Sequence, residues 1–284
     1  MKRGIVFEGG AFRSIFSCGV MDALNELNFL PDYIIGVSAG AAYGVSYASC
    51  QPGRNLKIIM DYRDDKRYMG LTNMIAPNNR SLYGLDFAYE TIPNELVPYD
   101  YDAFKKYKGE YLCVVTNVET GKPEYLPYTG LDRTNKVLKA TCALPVFFPT
   151  ININGTEYMD GGLSDSIPVE KALADGCDKV LVVLTREPGY KKNTSSITKS
   201  TAKLYKNKPE LARDLLTRAS KYNRQLERVD RLEKEGKLYV MRPVSTKGFK
   251  RTEKDKTKIL SLYNDGYNQT YEQFDKIKEF FEIN

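Results

Sequence analysis

The sequence predicts an α/β fold with a mainly parallel central sheet, and three observations carry that expectation. Short β-branched or apolar runs bounded by turn residues recur along the chain. Helical patterns lie between them, the alternation that builds a parallel sheet. One apolar run passes through Gly-x-Ser-x-Gly into a stretch of small residues, the context of a strand-to-helix nucleophile turn. With 284 residues, 42% of them hydrophobic, the chain has enough apolar side chains for a sizeable core.

The first expected strand, Gly4 to Phe7, runs into Glu8-Gly9-Gly10-Ala11-Phe12-Arg13. Tandem glycines there leave backbone N–H groups uncovered, which suits a phosphate or an oxyanion. Because neither a Gly-Lys-Ser/Thr ending nor Gly-x-Gly-x-x-Gly follows, an oxyanion hole or a plain tight turn remains. Ile15, Phe16, Gly19, Val20, Ala23, Leu24 and Leu27 then keep a 3.6-residue period, and Pro31 closes that helix. Tyr33 to Val37 is the second strand. It leads into Gly36-Val37-Ser38-Ala39-Gly40, where Ser38 would occupy a strained turn and glycines avoid the collisions of a Cβ. The alternative is a glycine-rich turn whose serine caps a helix.

Further strands are expected at Leu112 to Asn117, Val180 to Leu184 and Leu238 to Met241. Thr156 to Met159 is extended and delivers Asp160-Gly161-Gly162, which presents a carboxylate at a cleft or turns a surface hairpin. Glu187 to Ser196 is polar and turn-rich and reads as a hinge. Pro209 to Glu235 reads as one amphipathic helix, with Leu211, Leu215, Leu216, Ala219, Tyr222, Leu226, Val229 and Leu232 on its stripe. Arg213, Arg218, Lys221, Arg224, Arg228, Arg231 and Lys234 surround that stripe, either simply solvated or attracted to anionic lipid headgroups.

The chain contains no histidine, which removes the commonest general base and the commonest transition-metal ligand. A Ser-His-Asp triad is excluded, so Ser38 needs another proton acceptor, and Asp160 is the best-placed carboxylate. Five scattered cysteines without a Cys-x-x-Cys pair fit neither a zinc ribbon nor a disulfide framework. No metal and no cofactor are expected. The net charge of +6 is uneven: residues 186–258 hold 22 Lys and Arg against 9 Asp and Glu, and the remainder is net acidic. No nucleic-acid-binding motif accompanies the basic window, so no nucleic acid is expected. The apolar run Ile5-Val6-Phe7 stops at Glu8, and Ile34 to Ala48 is broken by Ser and Gly. A chain without signal peptide or spanning helix is therefore expected, cytoplasmic and at most peripheral to the inner face of the membrane.

Taken together, Gly9-Gly10-Ala11-Phe12-Arg13, Gly36-Val37-Ser38-Ala39-Gly40 and Asp160-Gly161-Gly162 resemble, in type and order, the three motifs of the patatin-like phospholipases. Ala140 to Pro149 also resembles the segment that precedes the family's aspartate. The likeness runs from residue 4 to about residue 185; it departs at Ala11, where the family has a third glycine, and at Ser14, where glycine is usual. It implies a three-layer α/β sandwich with a catalytic core over residues 1–185, and a basic helical extension with one further strand over 186–284, packed on the same domain. It further implies a lipid acyl hydrolase working through an acyl-enzyme, with Ser38 as nucleophile and Asp160 as base. The amides of Gly9, Gly10 and Ala11 would form the oxyanion hole, and Arg13 would hold a lipid phosphate or bond neighbouring carbonyls. Implied substrates are phospholipid, lysophospholipid or neutral glyceride esters, with contact to an anionic membrane. Acyl transfer by the same dyad, or idle lipid binding, are the alternatives.

Overall fold

Alternation along the central strands divides the apolar residues between two cores. In the strand Arg3–Phe7 (β1), Ile5 and Phe7 enter one core and Val6 the other. In Tyr33–Val37 (β2), Ile34 faces the first core while Tyr33, Ile35 and Val37 face the second. Lys179–Val183 divides likewise, Leu181 and Val183 against Val180 and Val182. Strands apolar on both faces must be covered on both. The helices Ile15–Glu26 (α1), Ala39–Ala48 (α2) and Lys256–Phe280 cover one side. Val169–Ala174 and Pro209–Lys234 cover the other, completing a three-layer α/β sandwich. The computed structural model describes residues 1–76 and 79–283.

The remaining strands are Glu110–Asn117 (β3), Pro123–Pro127 (β4), Ile151–Ile153 (β5), Thr156–Asp160 (β6), Lys179–Val183 (β7) and Leu238–Met241 (β8). β3, β2, β1, β7 and β8 lie side by side in that order, all parallel. β4 and β6 both pair with β3 in the antiparallel sense, and β5 pairs with β6. β3 begins two residues before the expected Leu112, and β7 is shifted one residue toward the N-terminus of the expected Val180 to Leu184.

Register on β3 explains how distant residues meet. β4 pairs with Leu112 to Thr116, so one edge of β3 is occupied over that span. β2 pairs with residues 110–114 and β6 with residues 115–117, so these two share the opposite edge, end to end. The partner of Val37 is Val114 and that of Asp160 is Val115. Adjacent positions on one strand thus bring the C-terminal ends of β2 and β6 together, although Ser38 and Asp160 are 122 residues apart in sequence.

The C-terminal helix lies very close to α1. A Cβ built on Gly19 would sit 2.0 Å from the carbonyl oxygen of Tyr263, and one on Gly266 would sit 2.1 Å from that of Phe16. The helix Pro209–Lys234 buries most of its expected stripe, but Leu216 is 46% exposed. One residue past Leu215 rotates a side chain by about 100° around the helix, which carries Leu216 out of the interface. No helix among the described residues is long and apolar enough to cross a membrane.

Candidate active site

The strand order reverses direction beside β1, whose sheet neighbours β2 and β7 flank it on opposite sides. Such switch points open a crevice beyond the carboxyl ends of the strands. The Gly9 turn, Ser38 and Thr185 gather at this crevice.

Ser38 has φ +53° and ψ −129°, a backbone conformation that side-chain-bearing residues avoid. Close packing on either side enforces it: a Cβ on Gly36 would lie 2.5 Å from the Cα of Ala41, and one on Gly40 would lie 2.5 Å from the Phe7 carbonyl oxygen. The Ser38 hydroxyl makes no capping bond to α2. It donates instead to Oδ2 of Asp160 at 2.7 Å. The Ser38 amide donates to Thr141 Oγ1 at 2.9 Å, and that hydroxyl donates to the Val114 carbonyl at 2.6 Å, tying the turn to β3.

Asp160 is buried, and its Oδ1 accepts from the Gly162 amide at 2.8 Å. Burial pushes its carboxyl above the usual carboxylate range, opposed by the charge of Arg218 and by the hydrogen bonds from Ser38 and Gly162. The Asp160 amide donates to the Ala143 carbonyl at 2.9 Å, so the segment 140–149 holds the strand end in place.

The turn Gly9-Gly10-Ala11 lies against the serine. A Cβ on Gly9 would come within 2.8 Å of the Ser38 Cβ. None of the three amides donates to a protein acceptor among the described residues. Ala11 has φ +50°, so the residue that replaces a glycine here adopts a glycine-like conformation. Beside the turn, Glu8 is buried and accepts from the Tyr222 hydroxyl at 2.7 Å and from the Thr185 amide at 2.6 Å. Arg13 faces the crevice; its guanidinium donates to no protein acceptor among the described residues, and its Nε is buried without a partner. Burial, reinforced by Arg186 and Arg251, lowers its pKa to about 10.

Two cavities meet at Ser38, Ala11 and Leu144. The first, of about 120 Å³, is walled by Phe12, Tyr43, Tyr89, Ile92, Leu138 and Phe148. The second, of about 350 Å³, contains both Ser38 and Asp160 and is lined by five cations: Arg13, Arg186, Lys192, Arg218 and Arg251.

Sequence reasoning missed Thr141, Glu8 and four of those cations. The sequence places Arg218 among the charges around the stripe, either solvated or facing lipid headgroups, yet its Nε donates to the Gly162 carbonyl at 2.6 Å. Helical spacing carried the signal, because Arg218 follows Leu215 by three residues and precedes Tyr222 by four. The segment read as a hinge forms a wall of the second cavity, held by Asn223, which accepts from the Lys192 amide at 2.8 Å and donates to the Lys192 carbonyl at 3.0 Å. No group of three or more Cys, Asp or Glu able to hold a metal occurs among the described residues.

A family model described as patatin-like phospholipase matches residues 5–173. The chain belongs to the patatin-like phospholipase family. Residues 208–282 match a second family, described as a domain of unknown function, DUF6363. Among relatives of this patatin-like chain, the uncharacterized protein YjjU of Escherichia coli K12 is 31% identical over 189 residues. That alignment covers 64% of the chain and 51% of YjjU. The lysophospholipase nte1 of Aspergillus fumigatus is 26% identical over 189 residues, 63% of the chain but 12% of nte1. The chain therefore spans about half of one relative and a small part of the other. The crystal structure of VipD from Legionella pneumophila aligns with a TM-score of 0.48 and 16% identity, over 97% of the chain and 67% of VipD.

Proposed function

We propose that the chain hydrolyses carboxylic esters of lipids through an acyl-enzyme on Ser38, with Asp160 as the base. The observation that carries this reading is the 2.7 Å hydrogen bond between Ser38 Oγ and Asp160 Oδ2 at the junction of an aromatic-walled cavity and a cationic one. Ser38 Oγ attacks the ester carbonyl as its proton passes to Asp160. The resulting oxyanion is held by the amides of Gly9, Gly10 and Ala11. Collapse of the tetrahedral adduct breaks the ester bond, and the departing alkoxide takes the proton from Asp160. Water then attacks the acyl group, giving a proton to Asp160, and Ser38 recovers that proton when the fatty acid leaves.

Desolvation supports the base assignment, since a carboxylate above its usual pKa accepts a proton more readily. The aromatic-walled cavity suits the acyl chain and the cationic cavity the polar remainder of the lipid. Membership in the patatin-like phospholipase family and the relatives named lysophospholipase favour phospholipid or lysophospholipid esters. The test is a lipid panel incubated with the wild type and with Ser38→Ala, read as released fatty acid. No release by the wild type, or equal release by both, ends the proposal.

A further inference from the structure

We infer that the second cavity selects lipids whose headgroup is anionic and carries no ammonium, a phosphomonoester above all. This rests on the hydrolase reading for its consequence but not for the binding it describes. Of the charged side chains lining the cavity, five are cations and two, Glu8 and Asp160, are carboxylates. Both carboxylates are already engaged, Glu8 by Tyr222 and Thr185, Asp160 by Ser38 and Gly162. None of the five cations comes within 4.0 Å of a carboxylate among the described residues. On the same long helix that supplies Arg218, the residues Arg213, Lys221 and Arg228 pair with Glu210, Asp214 and Glu170. Ion pairing is therefore common around the cavity and missing inside it.

Such crowding is costly unless an anion enters. Burial lowers the Lys192 ammonium well below its ordinary range, and Arg218, Arg251 and Arg13 lower it further, with only Glu8 opposing them. Of the three aromatic side chains lining the cavity, Tyr222 and Tyr190 already carry a protein cation, and the third, Phe147, cannot form a choline cage by itself. Lys192 Nζ lies 3.6 Å from the centre of the Tyr222 ring, and the Arg186 guanidinium lies 4.2 Å from that of Tyr190. A zwitterionic headgroup would bring a further cation into a site that offers it no free carboxylate. A terminal phosphate brings up to two negative charges and several acceptor oxygens to unpaired guanidinium groups, the partners best matched to it.

The experiment compares kcat/KM for lauroyl-lysophosphatidate and lauroyl-lysophosphatidylcholine, both below their aggregation concentrations, in the wild type and in the double variant Arg186→Gln, Lys192→Gln. Taking the ratio within each protein cancels any general loss of rate. The wild type should favour the phosphomonoester by about tenfold or more, and the double variant should lose most of that preference. A wild-type ratio near one, or a ratio unchanged in the variant, overturns the inference while leaving the hydrolase reading intact. If the double variant does not fold, Lys192→Gln alone is read by the same criterion. Binding to the Ser38→Ala protein supplies a readout free of turnover: lysophosphatidate should bind more tightly than lysophosphatidylcholine and than inorganic phosphate. Discrimination in binding without hydrolysis by the wild type would keep the headgroup site and remove the hydrolase reading. Inorganic phosphate binding as tightly as lysophosphatidate would make the cavity a free-phosphate site and overturn the inference.

Discussion

Ser38 and Asp160 act as one unit in the proposed chemistry, so removing either should cost most of what removing both costs. Ser38→Ala and Asp160→Asn are each expected to lower ester hydrolysis by about a thousandfold or more, with the double variant little worse. An Asp160→Asn enzyme near wild-type rate would require another base. The base must be ionised, so the rate should rise with pH through an acid limb set by a carboxyl whose pKa lies above the usual carboxylate range. That limb should vanish or move in Asp160→Asn. The same burial has a stability consequence of definite sign. A carboxyl raised on folding favours the native state below its unfolded pKa, and that contribution disappears as pH rises through the folded value. Asp160→Asn should therefore melt at a higher temperature than wild type at neutral pH, which calorimetry checks. The Ser38 turn was legible because its glycines answer a backbone demand visible in sequence. Thr141, which braces the turn through Val114, was not legible, because its role depends on a contact across 103 residues.

Among the elements, the joint between α1 and the C-terminal helix has little slack. Adding a methyl at Gly266 would place it 2.1 Å from the Phe16 carbonyl, a clash with backbone that only helix separation relieves. Gly266→Ala should destabilise the protein by about 1–3 kcal/mol, measured by urea unfolding. A variant as stable as wild type would mean that the helices part without cost. Buried strands and long helices were readable because their periodicity is strong. β4 was not, since it is a half-exposed edge strand bounded by Pro123 and Pro127. The π-helical stretch Phe87–Leu96 carries Pro93 inside it and follows no single period. Nor could sequence show that β2 and β6 share an edge of β3, a matter of register between strands far apart in the chain.

At the scale of the whole molecule, Asp22 lies buried between α1 and the C-terminal helix, accepting from the Tyr263 hydroxyl at 2.8 Å. Burial raises its pKa to about 6 against the hydrogen bond from Tyr263. From an unfolded value of about 3.9, the protonated form stabilises the fold fully below about pH 4, and this stabilisation, on the order of 3 kcal/mol, is lost as pH rises through about 6. Asp22→Asn should flatten the stability profile across that window, as melting temperature against pH would record. A profile unchanged by the substitution would mean that Asp22 does not titrate there. The regional charge asymmetry was visible in sequence, but not that part of the basic window turns inward to line a cavity. The contact of residues 256–280 with α1 also bears on synthesis. During translation α1 emerges well before the helix Lys256–Phe280, and the face of α1 that receives that helix stays uncovered until residues 256–280 have left the ribosome. Contacts of such long sequence separation slow folding and prolong exposure of apolar surface. Ribosome-bound chains ending before residue 256 should be cleaved readily by protease within α1, and chains extended past residue 280 should resist.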